Sequence, residues 1–185
     1  KFFKKKKLII NKKNVGVAKS RNIAMKFCKG EFISFLDSDD VWAKKKLDSQ
    51  LKFMINTKLK FSFTSFNVID ANNKIVGNRN VYKDPEYEDL IKKNFIGLST
   101  VMFHKKLLNV MKFPNLNTQE DFALWLKLLK KGYKLTHFKK TLSSWRKTKN
   151  SLSSNSIQKI KDAFTLYYKF ENKNLTLSIY SVLVL

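Results

Sequence analysis

Apolar and polar positions along the chain alternate between two periods. Leu8, Ile9 and Ile10 form a short branched apolar run after Lys4 to Lys7, the pattern of a buried strand. From Val17 to Cys28, residues Val17, Ala18, Ile23, Ala24, Phe27 and Cys28 recur at three- and four-residue spacing, which predicts an amphipathic helix ended by Gly30. Phe32, Ile33, Phe35 and Leu36 then predict a short strand. Strand, helix and apolar strand in that order read as a βαβ unit with a parallel sheet buried on both faces.

The strand runs into Asp37-Ser38-Asp39-Asp40, after which Trp42, Leu47, Leu51, Met54 and Ile55 predict a helix to about Asn56. Leu59 to Ile69 alternates as a strand, and Asp70 to Asn73 has the chemistry of a turn closing a hairpin with Lys74 to Val76. A short helix over Tyr87 to Asn94 and a strand over Ser99 to His104 follow. Next come a helix over Glu120 to Lys131 stopped by Gly132, and a strand over Tyr133 to Phe138. Ser151 to Ser156 is a polar linker before a helix over Ile157 to Phe170, with Ile157, Ile160, Ala163, Phe164 and Tyr167 on one face. The expected fold class is α/β: a mostly parallel central sheet flanked by helices over residues 1–150, and a helical tail over 151–185.

A chain of 185 residues with 43% hydrophobic content can bury one core, so the picture stays that of one main domain. The lone Cys28 forms no internal disulfide and has no His or second Cys near it in sequence, which favours a small packed residue over a nucleophile. No apolar run reaches the ~18 residues that span a bilayer. A cytoplasmic protein is expected, with peripheral contact at the inner face of the membrane as an option. The net charge of +24 suits an anionic partner such as a membrane surface. All basic residues except Arg21, Arg79 and Arg146 are Lys, however, and Lys, Asn, Phe and Ile are enriched together. Compositional drift accounts for that pattern as well, and scarce Arg argues against nucleic acid, whose readers favour bidentate guanidinium contacts.

Three of the chain's 14 acidic residues fall within Asp37 to Asp40. Two carboxylates at the carboxyl end of a buried strand lie where α/β sheets bind ligands, and hard oxygens suit Mg²⁺ or Mn²⁺ shared with a diphosphate. An Asp-rich turn that caps the next helix is the plain alternative. His104 and His137 sit in apolar strand contexts and read as core or edge histidines.

Two blocks carry a resemblance. Asn14-Val-Gly-Val-Ala-Lys-Ser-Arg21-Asn22, followed by Lys29-Gly-Glu-Phe-Ile-Ser-Phe-Leu-Asp37-Ser-Asp39-Asp40-Val-Trp42, resembles the signature stretch of family 2 glycosyltransferases of the GT-A type. Roughly 80 residues downstream, Glu120-Asp121-Phe-Ala-Leu-Trp125 resembles the family's Glu-Asp motif at a helix start. The resemblance implies an inverting transferase that moves a sugar from a nucleoside-diphosphate sugar to a hydroxyl of a glycan or lipid-linked acceptor, in cell-envelope polysaccharide synthesis. It assigns Asp121 as general base, Asp39 as ligand to a divalent cation (Mn²⁺ or Mg²⁺), and Arg21, Asp37, Asp39, Thr100 and Arg146 to the nucleotide sugar. Glu120 and Trp125 fall to the acceptor side. Arg146 and Lys147 stand in a late loop, Trp145 to Ser153, where Thr148 replaces a His usual in the family. Only 13 residues precede Asn14, so the family's first strand and helix are expected to be missing. The competing reading is a basic, non-catalytic protein that binds nucleic acid or an anionic membrane.

Overall fold

The computed structural model describes residues 7–148 and 156–184. Its elements in chain order are α1 (Val17–Met25), β1 (Phe32–Ser34), β2 (Val41–Trp42), α2 (Lys46–Asn56), β3 (Phe61–Ile69) and β4 (Ile75–Arg79). Then come α3 (Tyr87–Leu90), β5 (Met102–His104), α4 (Glu120–Lys130), β6 (Thr136–Arg146), α5 (Ser156–Thr165) and α6 (Leu175–Val184). A single 3-10 turn, Leu98–Thr100, precedes β5, and α5 runs on through a π-helical turn, Leu166–Phe170.

The α/β class holds, with one correction to the sheet. Its order is β1-β5-β3-β6-β2 with β4 also on β3, and only β3 and β6 run parallel; β1–β5, β3–β5, β3–β4 and β2–β6 are antiparallel. The parallel expectation rested on a strand at Leu8 to Ile10. That run forms no ladder here, and Leu8 and Ile10 are largely exposed. β3 is the centre. Phe61 to Phe66 are all buried, so both faces of this strand are covered, and no simple alternation survives along it. β6 is longer than its apolar pattern suggests, because exposed Lys139 and Lys140 interrupt the run while the backbone continues beside β3 with two register shifts.

α4 is the apolar helix of the domain. It buries Phe122, Leu124, Trp125, Leu126 and Leu128 against the sheet, with Phe61 meeting Trp125 edge-on at 5.3 Å. Gly132, at φ 75°, ends it as expected, since a left-handed residue there costs glycine little. Gly30 plays no such part, and α1 closes earlier on Lys26 in a helical conformation.

α2 departs from its reading in orientation. Leu47 and Ile55, expected on the inner face, are exposed at 41% and 56%, whereas Lys46, Gln50 and Met54 are fully buried. The C-terminal helices join the same core through Leu166 and Tyr167, the Tyr167 hydroxyl donating to the Ile91 carbonyl at 3.0 Å. Asp162 accepts from the Thr118 backbone and hydroxyl at 2.8 and 2.9 Å. Of the face expected to cover the core, Ala163 and Tyr167 are buried while Ile157 and Ile160 remain exposed. The linker over 151–155 lies outside the described residues.

Candidate active site

β1 delivers the chain to Asp37, α1 presents Arg21, and the first turn of α4 presents Glu120 and Asp121. Arg21 joins them. One guanidinium nitrogen meets Asp37 at 2.6 Å and the other pairs closely with Glu120, linking residues 99 apart in sequence. Burial opposes the charge on Arg21, but Asp37 and then Glu120 outweigh it, so its pKa rises. Glu120 is buried, and that burial pushes its carboxyl up against the pull of Arg21.

Asp121 sits beside this pair, half-buried, and one of its oxygens accepts the Phe122 backbone N–H at 2.6 Å. Loss of solvation, reinforced by Glu120, moves its carboxyl up to about 7. Such a group exchanges protons near neutrality, which an ordinary aspartate does not. Gln119 just before the helix holds φ 61° and ψ 17°, a left-handed turn that sequence reading missed because Gln rarely marks one.

The cavity above these residues measures about 580 Å³, with Arg21, Asp37, Asp40, Ser99, Thr100, Glu120 and Asp121 in its wall. Arg79, Trp145, Lys147 and Thr148 also line it. A slightly larger cleft, about 680 Å³, lies on the other side of α1 and α4 among Ala18, Phe113 and Pro114. Its single carboxylate, Glu171, is paired with Lys130 at 2.6 Å, so it gathers no acidic constellation.

The Asp-rich loop is held from several directions. The Asp37 backbone N–H donates to Ser99 Oγ at 3.2 Å, and the Arg146 backbone N–H donates to Asp40 at 3.0 Å. Burial raises the Asp40 pKa, and hydrogen bonds from Ser99 and the Arg146 backbone partly offset that. The resemblance assigns Arg146 to the nucleotide sugar. Its guanidinium instead fans onto the Asp39, Asp70 and Ala71 carbonyls, at 2.8, 2.8 and 3.3 Å, and onto Asn73 Oδ1 at 2.7 Å. It therefore ties this loop to the β3–β4 turn, and Lys147 is the neighbour that faces the cavity.

Trp125, which the resemblance places on the acceptor side, lies in the core. It is fully buried and offers no surface to an acceptor; its indole N–H donates to the Ile96 carbonyl at 3.2 Å, beneath the cavity wall. Thr100 is in the wall, and its hydroxyl donates to the Gly97 carbonyl at 2.6 Å.

Among the described residues, no three His, Cys, Asp or Glu side chains gather as a closed metal site. The Asp39 side chain is exposed, a hard oxygen donor of the kind that Mg²⁺ or Mn²⁺ uses when substrate phosphates and water fill the rest of its shell. Asp39 stands outside the residues that line the cavity, so it fits as a single donor to an open cation site that a substrate would complete. His137 is buried with Nε2 3.0 Å from Ser65 Oγ, the His104 ring accepts the Lys106 N–H at 3.1 Å, and neither histidine lines the cavity.

The chain matches the model of glycosyl transferase family 2 over residues 1–122. It is 35% identical over 161 residues to TuaG of Bacillus subtilis (strain 168), a glycosyltransferase named for teichuronic acid biosynthesis, covering 85% of this chain and 63% of that protein. It is 36% identical over 156 residues to the Escherichia coli UDP-Glc:alpha-D-GlcNAc-diphosphoundecaprenol beta-1,3-glucosyltransferase WfgD, covering 84% and 61%. The chain thus spans about three-fifths of the length of these relatives. Among solved structures, S. aureus TarS 1-349 in complex with UDP-GlcNAc superposes with a TM-score of 0.65 at 19% identity, over 90% of this chain and 51% of that one. The Pyrobaculum calidifontis mannosyltransferase PcManGT, solved with GDP-Man and Mn2+, gives 0.61 at 14% identity, over 95% and 50%. The two sequence blocks, the α/β fold and the family match agree: this chain belongs to glycosyl transferase family 2.

Proposed function

We propose that the chain forms the catalytic-site portion of an inverting glycosyltransferase that moves a sugar from a nucleoside-diphosphate donor to a hydroxyl of a glycan or lipid-linked acceptor. The observation that carries this reading is the convergence of Asp37 with Glu120 and Asp121 on one cavity through Arg21. Asp37 and Thr100 bind the donor on the nucleotide-sugar side. Asp39 holds a divalent cation, which supplies charge neutralisation at the departing diphosphate. Lys147 takes the direct phosphate contact, and Arg146 keeps the loop under it.

Asp121 is the base. Its carboxylate accepts the proton of the acceptor hydroxyl as that oxygen attacks the anomeric carbon and the bond to the diphosphate breaks. A single base on one face gives inversion. The raised pKa suits the task, because a base whose pKa lies near the working pH combines adequate ionisation with adequate basicity. Arg21 neutralises Asp37 and Glu120 beside it, and Glu120 contacts the acceptor. Trp125 supports the Ile96 segment from the core.

TuaG is named for teichuronic acid biosynthesis and WfgD for a diphosphoundecaprenol-linked acceptor, which supports envelope polysaccharide synthesis on a lipid-linked acceptor as the reading for this chain. A peripheral position at the inner face of the membrane follows for such a substrate. The C-terminal helices favour it. Leu175, Leu177, Ile179, Tyr180 and Leu183 of α6 are exposed, and no described helix is long and apolar enough to cross a membrane.

The test is binding of UDP to this chain with and without Mn²⁺, followed by calorimetry or thermal shift. Mn²⁺-dependent binding is expected, and Asp39→Ala should abolish the dependence while the protein still melts cooperatively. Equal UDP binding by the variant and the parent in Mn²⁺ would remove Asp39 as the cation ligand.

A further inference from the structure

The wall of the cavity beside Asp37 is built on backbone carbonyls that point inward. The Ser99 carbonyl receives the Trp42 indole N–H at 2.7 Å and the Ser143 hydroxyl at 3.1 Å. The Thr100 carbonyl receives Gln50 Nε2 at 3.0 Å. The same Gln50 nitrogen reaches the Ser62 carbonyl and hydroxyl at 3.2 and 3.1 Å, so the amide bridges β3 to the Leu98–Thr100 turn. With both carbonyls drawn inward, the Ser99 hydroxyl remains to accept the Asp37 N–H.

A primary amide can sit either way round. Only one orientation places its NH₂ on these acceptors, and that orientation leaves Oε1 needing a donor inside the protein. Lys46 supplies it. Its Nζ donates to Gln50 Oε1 at 2.9 Å, one helical turn earlier on α2, and lies 4.4 Å from the centre of the Trp42 ring. Lys46 and Gln50 are fully buried, and none of the ion pairs among the described residues includes Lys46. A buried ammonium without a carboxylate is costly, and an apolar side chain of similar volume would often stabilise the fold more. Packing alone therefore does not account for this residue.

We propose that Lys46 and Gln50 are a positioning pair for the donor site: Lys46 fixes the Gln50 amide, Gln50 and Trp42 fix the Ser99–Thr100 carbonyls, and Ser99 fixes Asp37. The pair touches no substrate and acts through the turn. This inference rests on the donor-site reading for its purpose, but its structural content can be tested without a substrate.

The experiment is residue-resolved hydrogen exchange by NMR on the ligand-free chain, comparing the parent with Lys46→Met, and with Gln50→Glu in case the first variant does not fold. Gln50→Glu keeps the volume and the partner of Lys46 but removes both donors to the carbonyls. In each variant the Trp42 indole N–H and the Asp37 amide are expected to exchange at least tenfold faster, with β3 amides at parent rates and the melting temperature of Lys46→Met at or above the parent's. A purely structural role would instead speed exchange throughout the sheet and lower the melting temperature. Parent-like exchange at Trp42 and Asp37, or uniform acceleration, overturns the proposal. A second arm measures UDP affinity in Mn²⁺, expected to fall about tenfold in Lys46→Met. A parent that binds no UDP counts against the donor-site reading alone, and the exchange arm still decides the positioning pair.

Discussion

Half-buried Asp121 and fully buried Lys46 make the chain's stability depend on pH in opposite senses. Asp121 is held up to about 7, above its unfolded value, so between roughly pH 4 and 7 the folded state binds more protons than the unfolded state. Stability therefore falls as pH rises through that window. Lys46 is held down to about 7 by burial, below its unfolded value, so from about pH 7 to 10 the unfolded state binds more protons. Its contribution makes stability rise with pH there. Melting curves of the metal-free chain should show the Asp121 contribution as a decline from pH 5 to 7 that Asp121→Asn flattens, while Lys46→Met flattens the rise above pH 7. A decline from pH 5 to 7 that Asp121→Asn leaves as steep as in the parent would show that Asp121 titrates like an exposed aspartate. At this scale the sequence was legible where chemistry is dense. The acidic loop and Glu120-Asp121 stand out in a lysine-rich chain, and Asp37 and Asp40 of that loop line one cavity with Glu120 and Asp121. Lys46 and Gln50 were not legible, since polar residues on an amphipathic helix ordinarily face water, and only the carbonyls of Ser62 and Thr100 explain why these two face inward.

Elements were predicted best where period and punctuation agree, as in α4 with its apolar stripe and Gly132. They were predicted least well where partners decide. β2 is two residues long and exists because Val41 and Trp42 pair with Ser144 and Ser143. The extension of β6 is set by β3, against the local signal of Lys139 and Lys140. That extension matters, because Arg146 at its end reaches both the acidic loop and the β3–β4 turn. A guanidinium can serve four acceptors in a plane, and an ammonium of equal charge cannot. Arg146→Lys should therefore loosen both segments, lowering Mn²⁺-supported UDP affinity by roughly tenfold, in line with loss of one charged hydrogen bond of ~1.5 kcal/mol. Calorimetric titration that gives the same affinity for this variant would show that charge alone, and not the fork, is what the site needs.

For the molecule as a whole, the proposed membrane position draws its support from the charge and apolar surface of the C-terminal helices. Within residues 156–184 the acids Asp162 and Glu171 are engaged with Thr118, Tyr87 and Lys130. Lys159, Lys161 and Lys169 are exposed among Ile157, Ile160, Tyr168 and Phe170. Flotation with vesicles containing anionic phosphatidylserine should recover the chain at low salt and release much of it at physiological salt, as each lysine near the surface contributes about 1 kcal/mol before screening. No recovery at either salt would leave the tail as a cover for the core alone. The edge of the sheet has another outcome. β1 ends the strand order and pairs only with β5, so one row of its backbone N–H and C=O groups meets no described strand. Such a rim is a template for a second chain, and here the net charge of +24 keeps copies apart. Screening weakens that repulsion as it weakens membrane attraction, so this chain is expected to self-associate more readily as salt is added, which sedimentation velocity at low and physiological salt would show.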